Sequence, residues 1–282
     1  NIFPSINNTF NISEKLIFRL AGGKTIIRLF FREVSPFVFY NFEENATTYG
    51  NPKVVNAYVT NADARFELYP TPEELISFGV FYKHFENPIE SKILYTGSGW
   101  NYTFENAEKA TSYGLELDVK KRLHEFEKSD NLKFLSNLTF ILNASLIRSS
   151  IATDENIEGA SSRSLQGQSP YILNLGTYYN DTDKKLMASI MYNITGERIA
   201  VVGDKNIPHI YEMPFNSLDF KKKKGLNSWM SLKFGIKNLM NDDVVFLQNQ
   251  AYTVDGIDYT RQQITNRFHP GRQFKLGVSM KF

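Results

Sequence analysis

The chain has 282 residues, of which 42% are hydrophobic and 14% aromatic, with a formal net charge of +2 at pH 7. This nearly neutral charge gives no electrostatic support for nucleic-acid binding, and the absence of cysteine excludes disulfide bonds and thiolate metal sites. No run of about 18 apolar residues occurs, which excludes a transmembrane helix.

Short segments in which apolar and polar residues alternate run through the whole chain, and each predicts a β-strand with one apolar and one polar face. The clearest segment is Ala110–Lys120, in which Glu116, Asp118 and Lys120 share one face. Three charges on one face require water, so the other face is predicted to be the buried or lipid-facing one. In chain order, the eleven predicted strands are Ile6–Ser13, Leu16–Leu20, Ala57–Tyr69, Leu75–Lys83, Ala110–Lys120, Leu138–Leu146, Tyr171–Tyr179, Leu186–Ile194, Ser217–Lys221, Met230–Ile236 and Phe274–Phe282.

The connections between these strands alternate in length. The short ones are Glu14–Lys15, Pro70–Glu74, Asn180–Lys184 and Lys222–Ser228, together with the somewhat longer His124–Leu135. The long ones are Ala21–Asn56, His84–Lys109, Arg148–Pro170, Thr195–Asn216 and Asn238–Gln273. Short turns at one rim and long loops at the other are typical of outer-membrane barrels, so we predict an all-β, transmembrane, antiparallel β-barrel.

The last segment, Phe274–Phe282, is amphipathic along its whole length. Its apolar face consists of Phe274, Leu276, Val278, Met280 and Phe282. A terminal strand of this kind resembles the C-terminal signal strand of Gram-negative outer-membrane barrels. The resemblance implies that the barrel-assembly machinery recognises these five residues.

Four further segments resemble motifs of the TonB-dependent receptors, and they occur in the order in which that family has them. The first is Phe31-Arg32-Glu33-Val34-Ser35-Pro36-Phe37, which is similar to an Arg-Glu-Leu-x-Pro-Phe run after an upward strand. The second, Tyr49–Lys53, resembles a Gly-Asn-Pro segment before a downward strand. Near the end, Lys237–Asn241 and Pro270–Phe274 resemble the segments that close the penultimate strand and open the last one.

The resemblance implies a barrel of about 22 strands around an N-terminal plug domain. Eleven strands would be its C-terminal half, so residues 1–282 are expected to lack the plug and the first half of the barrel. Asn1–Ser5 shows no signal peptide, and we therefore expect a mature fragment or the end of a longer polypeptide. The implied location is the Gram-negative outer membrane, crossed many times.

By resemblance, such a receptor binds a scarce solute, and TonB moves the plug to import it. The implied partners are outer-membrane lipid, the plug domain and N-terminal half of the barrel, TonB and the barrel-assembly machinery, with a surface lipoprotein or other envelope subunits as further candidates. One alternative is a receptor-like barrel in an assembly or secretion complex. A second alternative is a soluble all-β carbohydrate-binding protein.

An aromatic loop supplies the candidate ligand-binding residues Tyr95, Trp100, Tyr102 and Phe104. Aromatic rings stack on sugars or flat ligands, but they also form the girdle of a barrel at the membrane interface, and we favour the girdle. No nucleophile, phosphate-loop or paired-carboxylate motif is present, so we predict neither an enzyme nor a cofactor.

Three other patterns have simpler interpretations. The Asn-x-Ser/Thr pairs within strands, such as Asn143 with Ser145, are interpreted as polar neighbours on one face of a strand. The histidines and the aspartates of the last long loop fit no defined metal-ligand spacing. The run Lys221–Lys224 is interpreted as solvated charge at a short turn, with lipid head groups as an alternative contact.

Overall fold

The computed structural model describes residues 2–42, 46–94, 101–128, 131–152, 162–203, 207–254 and 257–281, with only the backbone described at 250–254 and 257–259. The described strands, in chain order, are β1 (Ser5–Asn11), β2 (Leu16–Ile27), β3 (Val38–Asn41), β4 (Ala46–Tyr49), β5 (Ala57–Leu68), β6 (Leu75–Glu86), β7 (Ile89–Ile93), β8 (Asn101–Asn106), β9 (Lys109–Arg122), β10 (Leu138–Ala152), β11 (Tyr171–Asp181), β12 (Leu186–Thr195), β13 (Arg198–Val201), β14 (Ile210–Glu212), β15 (Phe215–Gly225), β16 (Met230–Lys237), β17 (Val244–Val254), β18 (Ile257–Phe268) and β19 (Gln273–Met280). A short helix, α1 (Phe31–Val34), follows β2, and two 3₁₀ turns, His124–Phe126 and Lys133–Asn137, lie between β9 and β10.

Eleven of these strands form one antiparallel sheet, in the order β1-β2-β5-β6-β9-β10-β11-β12-β15-β16-β19. Each strand pairs with the next long strand in the chain, which is the arrangement that short turns on one side require. The predicted eleven-stranded antiparallel architecture is therefore confirmed. The strands β1 and β19 are the two edges of this sheet.

The faces of the sheet follow the predicted alternation. On the apolar face of β9, Tyr113 and Leu115 are 47% and 46% exposed, as side chains in contact with lipid would be. On the other face, Glu116 lies 2.9 Å from the guanidinium of Arg65 on β5. We call these the apolar face and the polar face. Exposed apolar side chains on one face and charged side chains on the other are typical of a membrane barrel.

Several strands are longer than predicted. β2 continues to Ile27, β10 to Ala152, and β15 runs from Phe215 to Gly225. Backbone pairing continues where the side-chain alternation fades, as at Gly23, which pairs with Asn61 of β5. One consequence is that Lys221–Lys224 lies within a strand, so the assignment of this run to a turn was wrong.

The long connections contain eight further strands that the sequence analysis assigned to loops. They form two four-stranded sheets, β3-β4-β8-β7 and β13-β14-β17-β18. Six of the eight strands have only three to six residues, and two of the pairings, β4 with β8 and β14 with β17, join segments that lie far apart in the chain. The parallel pairing of β4 with β8, for example, joins Thr48 to Tyr102.

A buried hydrophobic cluster lies among these long connections. Ala46, Ile93, Tyr102 and Ile210 form a buried cluster, with Phe246 packed against it. The large sheet needs no such core, because its apolar face suits lipid. Within the described residues, no helix has the length and hydropathy needed to cross a membrane.

Candidate functional site

The two family-like motifs of the first long connection are in direct contact. α1 begins with the Glu33 carboxylate accepting a hydrogen bond from the Phe30 backbone N–H at 2.8 Å, and the Asn51 N–H donates to the Glu33 carbonyl at 2.7 Å. A Cβ atom at Gly50 would lie 1.9 Å from the Ser35 carbonyl oxygen, so only glycine permits this approach. These contacts hold the two motifs together within the first long connection. We call them the Gly50 joint.

The other residues of the first motif lie around this joint. The Arg32 guanidinium lies 5.4 Å from the centre of the Phe39 ring, a cation–π contact. Phe31 and Phe37 are exposed, and Pro36 follows the end of α1. The Asn51 side chain extends the joint by donating to the carbonyl of Phe104 on β8 at 2.9 Å.

A buried ion pair joins two other long connections. The Arg163 guanidinium donates to both carboxylate oxygens of Glu90 on β7, at 2.9 Å and 2.5 Å. Their side chains are only 14% and 4% exposed. A bidentate, largely buried pair is both strong and geometrically specific.

Gln166 connects this ion pair to a third long connection. Its backbone N–H donates to Glu90 at 3.2 Å, its side-chain oxygen accepts from the Ser91 N–H at 2.7 Å, and its side-chain nitrogen donates to the Ala200 carbonyl at 2.5 Å. We call Glu90, Arg163 and Gln166 the loop clamp. A backbone hydrogen bond from the Ile93 N–H to the Val202 carbonyl, at 2.9 Å, also joins the connection of Glu90 to that of Ala200.

His209 lies beside the clamp and is partly buried. Its Nδ1 accepts a hydrogen bond from the Gly203 N–H at 2.9 Å, which requires that nitrogen to be unprotonated. Burial, and to a lesser degree the positive charge of Arg163, lower the pKa of His209, while Glu90 opposes the shift. The imidazole is therefore held in its neutral form.

The structure describes two of the four predicted aromatic residues, Tyr102 and Phe104. Tyr102 is 9% exposed and belongs to the buried cluster, whereas Phe104 is partly buried two residues further along β8. Tyr95 and Trp100 lie outside the described residues. A packed Tyr102 positions β8 and presents little surface for stacking.

The polar face of the large sheet carries a ladder of side-chain hydrogen bonds. The Asn193 amide donates to Asn174 at 2.6 Å, Asn174 donates to Asn143 at 3.0 Å, and Asn143 donates to Asp118. The four side chains lie in register on β12, β11, β10 and β9. Asn143 and Asn193, which the sequence analysis interpreted as polar residues on one face of their own strands, thus lie on the polar face of the sheet.

The last strand presents the predicted apolar residues on one side. Phe274 and Leu276 are 66% and 75% exposed, and Val278 and Met280 point the same way. Phe282 lies outside the described residues. Lys275 and Ser279 fall on the polar face opposite the β16 residues Gly235 and Ser231.

Three charged residues of the last long connection form ion pairs with each other. Asp243 pairs with both Arg267 and His269, and these two contacts lower the pKa of its carboxyl group. Within the described residues, no group of three or more His, Cys, Asp or Glu side chains is placed to hold a metal ion.

Sequence reasoning missed the loop clamp and the two sheets that it joins. Glu90 and Arg163 are 73 residues apart, and neither belongs to a motif. No local sequence pattern distinguishes these two residues from the other charged residues of the long connections.

The structure is similar to solved structures of two uptake receptors and a copper transporter. It matches a mutant of the ferric enterobactin receptor PfeA from Pseudomonas aeruginosa with a TM-score of 0.63 and 19% identity, covering 100% of this chain and 40% of that one. The ferric yersiniabactin uptake receptor FyuA from Yersinia pestis gives 0.61 and 15%, covering 99% and 37%. The copper transporter OprC gives 0.65 and 13%, covering 99% and 39%.

This chain therefore spans about 40% of the length of those structures. No curated protein sequence matches it. A family model described as the TonB-dependent receptor-like β-barrel matches residues 1–239. The family is one of receptors and not of enzymes. The chain belongs to the TonB-dependent receptor-like β-barrel family.

Proposed function

We propose that this chain is the C-terminal half of the barrel of an outer-membrane receptor that binds a scarce solute and imports it with energy delivered by TonB. The observation that carries the proposal is the open eleven-stranded sheet with β1 and β19 as its edges. Edge N–H and C=O groups cannot remain unpaired in lipid, so a second set of strands must complete the barrel. The missing N-terminal half would supply these strands and the plug domain.

The proposed solute surface is the end of the sheet that carries the long connections. There the loop clamp and the Gly50 joint hold several connections in one arrangement. A preorganised surface binds with a smaller loss of conformational entropy than free loops do. Tyr95, Trp100 and Phe104 are the candidate contacts, whereas Tyr102 belongs to the buried cluster.

The similar structures named for ferric enterobactin and ferric yersiniabactin favour a ferric siderophore as the solute class, with a copper species as the second candidate. The proposed location is the Gram-negative outer membrane, reached through the barrel-assembly machinery. A surface lipoprotein remains a candidate partner at the long-connection end.

The test is growth of a strain that lacks the full-length gene, under iron limitation, on a panel of purified ferric siderophores. The proposal predicts that one compound supports growth only when both this protein and TonB are present. Growth that is independent of TonB, together with co-purification in a stable envelope complex, would instead favour the assembly or secretion alternative.

A further inference from the structure

Four lysines form a continuous basic surface on the polar face of the last three strands, which we call the lysine wall: Lys221 and Lys223 on β15, Lys233 on β16, and Lys275 on β19. In the register of the sheet, Gly235 lies between Lys221 and Lys275. Lys223 lies directly opposite Lys233. All four side chains are exposed.

The lysine wall carries an uncompensated electrostatic cost. Like charges directly opposite each other in a sheet are destabilising. Within the described part of the chain, none of the four ammonium groups forms an ion pair. Asp219 is the one acidic residue on this face of the three strands, and its carboxylate already accepts from the Asn238 N–H at 3.1 Å.

The other end of the polar face is different. There two arginines are matched within the sheet, with Arg19 3.1 Å from Glu67 and Arg65 2.9 Å from Glu116. Acidic side chains thus lie among the cations on the polar face of β2, β5 and β9, whereas Asp219 is the one acidic residue among the lysines on this face of β15, β16 and β19. The contrast points to a partner at the second end only.

Between the lysines, two glycines leave the backbone of the polar face uncovered by side chains. A Cβ atom on Gly235 would come no closer than 3.8 Å to its neighbours, and one on Gly277 would lie 4.0 Å from the stem of Lys233. Beyond Lys223, at the short-turn end, a hollow of about 530 Å³ extends past Ser231 and Ser279. Carboxylate side chains from a facing protein surface would have room to reach between the lysines.

We propose that the lysine wall binds a carboxylate-rich face of the plug domain and so fixes the orientation of the plug in the lumen. This inference rests on the proposed function, since the polar face lines the lumen only in a closed barrel. Charge complementarity selects the occupant, because four unpaired cations favour an acidic surface. The contact is accessible to lumenal water, so we expect it to weaken as salt is raised.

The first test uses the full-length protein in native outer membranes. A carbodiimide that joins amines directly to carboxylates should link the wall lysines to aspartates or glutamates of the plug, as identified by mass spectrometry. A small water-soluble acylating reagent should modify these lysines several-fold more slowly than the exposed Lys128. Absence of such crosslinks, with acylation as fast as that of Lys128, would overturn the proposal.

A second test removes the charges with a control on the same strand. Lys221→Gln with Lys223→Gln is compared with Lys222→Gln with Lys224→Gln, which removes equal charge from the opposite face of β15. The first pair should lower the urea concentration at which the plug becomes sensitive to protease, and the second should not. Equal effects of the two pairs would contradict the proposal.

Other outcomes separate this inference from the proposed function. If the lysines react freely and are protected only by added inorganic phosphate, the wall is a small-anion site and the plug contact is wrong. If TonB-dependent growth is observed without crosslinks to the plug, the inference fails and the receptor function stands. If the full-length protein has no plug domain, both fail.

Discussion

Glu90 and Arg163 form a bidentate ion pair, with N–O distances of 2.9 Å and 2.5 Å, that joins two long connections through nearly buried side chains. Removing one partner of a buried ion pair leaves the other charge uncompensated. The pair therefore couples the arrangement of one connection to that of the other, with Gln166 extending the coupling to Ala200.

Glu90→Ala is expected to destabilise the closed arrangement of the long connections by about 3–5 kcal/mol, because Arg163 would be left buried and unpaired. Hydrogen exchange of the Ser91 and Val202 amides measures this change. The matched control is Lys92→Ala on the same strand, which removes an exposed pair with Glu105 and should cost about 0–1 kcal/mol. Equal protection in the two variants would show that the clamp does not hold the connections.

Acid is expected to open the connection that contains His209. The pKa of His209 is lowered in the folded state by burial and by Arg163, so the opened form binds more protons. The closed form then loses stability as the pH falls below the ordinary histidine value of 6.5. Exchange of the Gly203 amide, corrected for intrinsic pH dependence, should accelerate over this range. His209→Asn, which keeps an acceptor but does not titrate, should abolish the acceleration.

Gly50→Ala is expected to disrupt the joint between the two family-like motifs. The added Cβ would meet backbone atoms of Ser35 and Arg32 at 1.9 Å and 2.8 Å, and overpacking of this kind costs about 1–3 kcal/mol or more. Gly79→Ala is the control, since its nearest neighbour would be 3.5 Å away. Limited proteolysis near α1 should distinguish the variants, and equal resistance would contradict the contact.

The orientation of β9 gives a further prediction. Tyr113, Leu115 and Leu117 are on the apolar face, and Glu116 and Asp118 are on the polar face. Leu117→Arg should therefore reduce the free energy of unfolding in lipid by about 2–4 kcal/mol, as an arginine on the lipid face does near mid-membrane.

The control for this prediction is Glu116→Gln. It weakens a half-exposed pair with Arg65, so it should cost about 0–1 kcal/mol. Unfolding of the full-length protein in lipid vesicles measures both variants. Equal losses would mean that the faces are assigned the wrong way round.

Deletion of Phe282 is expected to lower the amount of inserted barrel more than stability alone explains. A free terminal strand can add to a sheet edge by main-chain hydrogen bonding, and alternate side chains provide specificity. Loss of one aromatic side chain should by itself cost at most about 1–3 kcal/mol. The measurement is the outer-membrane abundance of the full-length protein, with Lys281→Ala as the polar-face control. Normal insertion of both variants would leave the terminal strand with no signalling role.

The amino-acid sequence by itself determined the eleven long strands, their order and their two faces. Segments such as Ala110–Lys120 and Phe274–Phe282 carry a period of two, and in a membrane barrel this period alone decides which side meets lipid. Short turns such as Glu14–Lys15 then bring the strands on either side together as antiparallel neighbours. The family-like motifs at Phe31–Phe37 and Tyr49–Lys53 added the family, which the match over residues 1–239 confirmed.

Only the tertiary structure decided how the long connections fold and where the chain leaves its charges unmatched. Glu90 meets Arg163, and Thr48 pairs with Tyr102, across separations that no periodic pattern records. The sequence predicted a solvated turn at Lys221–Lys224. In the structure this run pairs with β12 and β16, which places alternate lysines on opposite faces of the sheet. Local periodicity fixes a strand, whereas contacts between distant segments depend on the packing of the whole chain.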